Sequence, residues 1–121
     1  MKHFKLMGVF LCCLLLCISF ASCSSNNDKR TMDDFIKAYQ DAGITVDKSE
    51  KPFFSMIGAI DGVIFDINGS TVKIYQYKDI ATYEKSKKDY NMISSWPVNG
   101  VFVLESTNAK ATEIFNSVKR K

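Results

Sequence analysis

The spacing of hydrophobic residues changes several times along the chain, and each spacing predicts a different element. From Thr31 to Ala42, the residues Met32, Phe35, Ile36, Tyr39 and Ala42 fall on one face of a helix. Thr31 with Asp34 forms a capping-box-like start, with Asp shorter than the usual Glu, and Gly43 is a natural stop. Ile44 to Val46 reads as a short extended segment, followed by a charged loop from Asp47 to Lys51 that ends at Pro52. Between Pro52 and Ala59 the run Phe53, Phe54, Met56, Ile57 fits a strand or a helical turn equally, because a brief apolar run does not choose between them. Asp61-Gly62 reads as a tight turn into Val63 to Ile67.

Asn68-Gly69 then predicts a type I′ hairpin, since both residues tolerate positive φ. With that pair in the loop, Ile67 faces Ser70, Phe65 faces Val72 and Val63 faces Ile74, which makes one face apolar. Ile64, Asp66, Thr71, Lys73, Tyr75 and Tyr77 fall on the other. A second helix is expected from Asp79 to Tyr90, with Asp79 capping and Ile80, Tyr83, Lys87 and Tyr90 along one side. Asn91 to Gly100, with Trp96-Pro97 and Asn99-Gly100, reads as a loop. Val101 to Leu104 is nearly continuous apolar sequence, as for a strand covered on both faces. Asn108 starts the last helix, with Ala111, Ile114, Phe115 and Val118 as its buried stripe and Lys119-Arg120-Lys121 at the negative end of its dipole. The expected fold is α+β: a small antiparallel-rich sheet with about three helices packed mainly on one face, all within residues 31–121.

The N-terminus has a different character. Lys2 and Lys5 precede an apolar run from Leu6 to Phe20, and Ala21-Ser22-Cys23 follows. Small residues before a cysteine suit a signal peptidase cleft that admits little more than a methyl or hydroxymethyl group. The segment resembles the lipobox of bacterial lipoproteins, although an aliphatic residue is more usual at the position of Phe20. The resemblance implies that residues 1–22 are removed as a signal peptide and that Cys23 is acylated and becomes the N-terminus. Residues 23–30, polar and charged, would form the tether. Ordinary secretory cleavage near Cys23, or an uncleaved anchor from Leu6 to Ser22, are the alternatives. All three place the domain in the cell envelope outside the cytoplasm, because Lys2 and Lys5 hold the N-terminus inside.

Composition narrows the chemistry. Cys12, Cys13, Cys17 and Cys23 are the four cysteines and His3 is the one histidine, so the domain beyond Cys23 has neither residue type. It therefore lacks the usual zinc and copper ligands and the usual general base, and neither a metal, a cofactor nor an enzyme activity is expected. Of the 16 basic residues only Lys2 and Lys5 precede Cys23, which leaves 14 against 13 acidic ones. A nearly neutral domain offers no footprint for nucleic acid.

Three short motifs are explained away. Ser70-Thr71-Val72-Lys73 matches the Ser-x-x-Lys pattern of penicillin-recognising acyl enzymes, but on a strand its Ser and Lys point to opposite faces. Asn68-Gly69-Ser70 matches a glycosylation sequon and is accounted for by its turn role. Asp61, Asp66 and Asn68 do not follow calcium-loop spacing.

What remains is candidate binding surface. Lys73, Tyr75 and Tyr77 share the outer hairpin face with Thr71, where tyrosines stack on sugars or hold a peptide unless a helix or lysine stems cover them. Trp96, beside Pro97, either meets a partner or lids its own core. Lys85, Lys87 and Lys88 with the C-terminal basic triplet either face anionic polymers or form a solvated surface. The whole chain resembles the small lipoproteins of bacterial envelopes. The expectation is a membrane-anchored, non-enzymatic binding module for a protein or cell-surface component. The alternative is a carrier of a small apolar ligand between sheet and helices, suggested by Phe53, Phe54, Phe65, Phe102 and Phe115.

Overall fold

The computed structural model describes residues 28–121; the segment read as a signal peptide and Cys23 lie outside the described residues. The hairpin organises the sheet. Strands β1 (Asp61–Ile67) and β2 (Ser70–Gln76) pair antiparallel, with Ile67 opposite Ser70, Phe65 opposite Val72 and Val63 opposite Ile74. This is the register that the alternation predicts. Asn68 and Gly69 make the turn at φ of 50° and 84°, the left-handed angles a type I′ loop requires. Two further strands, β3 (Val98–Asn99) and β4 (Phe102–Glu105), complete an antiparallel sheet in the order β1-β2-β4-β3. The short apolar run thus occupies β4, an inner strand whose Phe102, Val103 and Leu104 are fully buried.

Three helices follow the predicted periodicities: α1 (Met32–Asp41), α2 (Ile80–Asp89) and α3 (Ala109–Ser117). Each begins with a side-chain acceptor for an otherwise orphan N–H. Asp34 accepts from the Thr31 N–H at 2.8 Å, Asp79 from the Thr82 N–H at 2.7 Å and Asn108 from the Ala111 N–H at 3.1 Å. One such cap contributes about 1 kcal/mol. α1 and α3 cover the face of the sheet formed by Phe65, Phe102 and their in-register neighbours. Phe35 lies 4.2 Å from Phe102 and 5.3 Å from Phe115 between ring centroids, and Tyr39 meets Phe65 edge-on at 4.8 Å. The buried Tyr39 hydroxyl donates to the Ala111 carbonyl at 2.7 Å, tying the two helices together. α2 packs Tyr83 edge-on against Tyr77, just beyond β2, at 5.5 Å. The fold is α+β with three helices and a four-stranded antiparallel sheet, as expected.

One open expectation is decided and three are corrected. Pro52 to Ala59 contains a 3-10 turn, Phe54–Ile57, closed by Gly58 at φ 78°. Because the chain turns there, Asp61 and Gly62 are not a turn but the first residues of β1, opposite Gln76 and Tyr75. Glycine is required at position 62 for space: a Cβ would come within 2.9 Å of the Pro52 ring. Asn91 to Gly100 is not wholly loop, since it holds a second 3-10 turn, Asn91–Ser95, and the edge strand β3.

The third correction concerns Arg30, assigned by composition to the tether. Its side chain is fully buried and that of Asp28 is 4% exposed, with a 2.7 Å ion pair between them. Arg30 also donates to the Asn99 side chain at 2.9 Å and to the Val118 carbonyl at 2.8 Å. Its guanidinium carbon lies 5.1 Å from the Phe35 ring centroid and 5.7 Å from that of Phe102. Asn99 in turn donates to the Phe115 and Val118 carbonyls. The open carbonyl end of α3 is therefore satisfied by Arg30 and Asn99, and Lys121 reaches back to Asp34 at 3.0 Å. The contacts of the folded domain therefore reach back to Asp28.

Candidate functional site: a groove beside Trp96

The four predicted surface residues separate into two pairs. Tyr77 is fully buried, and its hydroxyl donates to the Ile57 carbonyl at 2.8 Å. Tyr75 is 5% exposed and donates to a Glu105 carboxylate oxygen at 2.7 Å. Neither tyrosine offers an open stacking face. Alternation places them correctly on the outer side of the hairpin, but they are covered: Tyr77 meets Tyr83 of α2, and Trp96 lies over Tyr75. Burial, reinforced by the Glu105 charge, pushes the Tyr75 hydroxyl well above the ordinary tyrosine range.

Lys73 and Trp96 do meet. They line one groove of about 540 Å³ together with Thr71, Ser95, Pro97, Glu105, Ser106 and Thr107. Lys73 and Glu105 are cross-strand partners in the β2–β4 register, and their charged groups lie 3.8 Å apart, each side chain about one-third exposed. The indole of Trp96 stacks on Tyr75, 5.8 Å between centroids and 9° between planes. It is held there by the 3-10 turn, whose Ile93 carbonyl accepts from the Trp96 N–H at 3.0 Å, and by Pro97, whose carbonyl accepts from the Leu104 N–H at 3.0 Å. Ser106 accepts from the Asn108 N–H at 3.0 Å, which leaves its own hydroxyl proton to donate elsewhere. The groove thus combines one aromatic wall, one amine, one carboxylate and several hydroxyls.

Ser95, Glu105, Ser106 and Thr107 were not singled out from the sequence. Glu105 had a usable signal, because the strand Val101 to Leu104 ends beside it, but its partner Lys73 follows only once β2 and β4 are known to pair. Of the basic clusters, Lys85 pairs with Asp89, Lys87 with Glu84 and Lys121 with Asp34, each at 3.0 Å. The phenylalanines that suggest a ligand pocket divide. Phe65, Phe102 and Phe115 are buried among other aromatic rings, Phe54 is half-buried, and Phe53 is exposed. Among the described residues no three His, Cys, Asp or Glu side chains converge as a metal-binding group, and no helix is long and apolar enough to cross a membrane.

Comparison of the chain with family models, with curated proteins and with solved structures returned no match.

Proposed function

We propose that the chain is an envelope lipoprotein, anchored through acylated Cys23, whose domain binds a polar cell-surface component in the groove beside Trp96. The observation that carries this reading is the groove itself. An indole held flat by Tyr75 gives a ligand an apolar platform, and the Lys73–Glu105 pair with the flanking hydroxyls gives it donors and acceptors. A binding role is favoured over catalysis because the amine and the carboxylate face each other, and histidine and cysteine are absent beyond Cys23. The aromatic packing of Phe35, Phe102 and Phe115 favours a filled sheet–helix interface over an apolar carrier.

Trp96 is the sole tryptophan and therefore reports on this groove without a label. Full-length protein titrated with soluble cell-wall fragments is expected to show a saturable change in indole emission. Lys73→Ala should weaken that binding by roughly tenfold, the loss of one charge-assisted contact. An emission spectrum indifferent to every fragment tested, or equal affinity in the variant, would remove the groove as the binding site. Acylation is read separately, from the mass of the N-terminal peptide.

A further inference from the structure

The chain leaves the described domain at Asp28, and the surroundings of that exit are uneven. Asp28 and Lys29 line one groove with Gln76, Tyr77 and Lys78. The same strand end holds the first 3-10 turn in place. The Gln76 carbonyl accepts from the Ile60 N–H at 2.8 Å, and Tyr77 donates to Ile57 at 2.8 Å. Around this turn three large apolar side chains point into solvent: Phe53 is 84% exposed, Met56 68% and Ile60 54%. Phe53 immediately precedes the turn and Met56 lies within it. A cluster of this kind at one end of a small domain marks a surface that meets something apolar.

The length of chain before Asp28 says what that is. Only Ser24, Ser25, Asn26 and Asn27 separate Asp28 from Cys23. Five backbone steps reach no more than about 18 Å when fully extended. An acyl anchor on Cys23 therefore holds this end of the domain against the lipid headgroups. Lys29 and Lys78 are exposed beside the exit. The two acids of that groove are engaged elsewhere, Asp28 with Arg30 and Asp79 with the Thr82 N–H at the start of α2.

We propose that the domain lies on the membrane by this end. Phe53, Met56 and Ile60 enter the boundary between headgroups and acyl chains, and Lys29 and Lys78 face anionic headgroups. The inference rests on the anchor proposed above, and it leaves the Trp96 groove free to meet a ligand.

The test uses full-length protein reconstituted into phosphatidylethanolamine–phosphatidylglycerol vesicles, with and without bromine on the acyl chains. Phe53→Trp adds a second indole at the exposed position, with the wild-type chain as the Trp96 baseline. The added emission is expected to fall by about twofold or more in brominated vesicles, as for an indole at the acyl boundary. Replacing Met56 and Ile60 by Ser in the same chain should restore it. Flotation and N-terminal mass report the anchor independently. An acylated, floating protein whose added indole ignores bromine would overturn the membrane contact and leave the anchor standing. A chain that floats through an uncleaved apolar segment is judged by the same quenching, because the tether is equally short. Protein that does not float would overturn both.

Discussion

A guanidinium without exposed surface must have every donor answered, and Arg30 meets that demand through Asp28, Asn99 and Val118. Removing one partner of a buried ion pair strands the other, at a cost of about 3–5 kcal/mol. Arg30→Met is accordingly expected to lower unfolding stability by that amount in urea titration. Asp28→Leu added to it should recover only part of the loss, because the Asn99 side-chain oxygen that accepts from Arg30 loses its donor. Full recovery would mean that Asp28 alone mattered. None of this was legible in the sequence. Arg30 closes a polar run that reads as tether, and apart from Asp28 its partners Asn99 and Val118 lie 69 and 88 positions away. A buried charge is chosen by the tertiary structure, and local composition carries no trace of it.

At the scale of elements, legibility followed locality. The hairpin register could be read because Asn68-Gly69 and the flanking alternation select the same pairing within a few residues. At Gly69 a Cβ would meet nothing within 4 Å, so the demand there is purely conformational, at φ 84°. Gly69→Ala should therefore destabilise by about 1–2 kcal/mol, the cost of a left-handed L-residue, with the sheet unchanged. Circular dichroism melts of the two chains would settle this, and an unchanged midpoint would contradict it. The helices were likewise legible from periodicity and caps. Edge strand β3 was not, because two residues carry no period and are strand only by pairing with β4. The same limit applied to the candidate site. Alternation put Tyr75 and Tyr77 on the correct side of the sheet, but nothing local said that Trp96 and Tyr83 would cover them.

For the molecule as a whole, pH acts from both ends. Burial raises the hydroxyls of Tyr39, Tyr75, Tyr77 and Tyr83 above their ordinary value near 10. A raised group holds its proton better when folded. Its contribution is complete below pH 10 and is lost as pH climbs through the folded values. Alkaline unfolding should thus begin near pH 10. In a Tyr90→Phe chain, which removes the one exposed tyrosine, tyrosinate absorbance should rise in step with loss of structure, and tyrosinate appearing while that chain is fully folded would refute this. On the acid side, the hydrogen bonds from Arg30 hold the Asp28 carboxyl below its ordinary 3.8. Its contribution is present above that value and disappears as pH falls through the folded one. Acid should therefore weaken the Arg30 cluster while leaving the tyrosine hydroxyls protonated.

Arg30 also decides where the domain would feel a pull. Tension arriving along the N-terminal segment meets Asp28 and Arg30 first, and passes from them to Asn99 on the edge strand and to Val118 at the end of the last helix. The load is thus divided among several bonds on two distant elements before it reaches the hairpin.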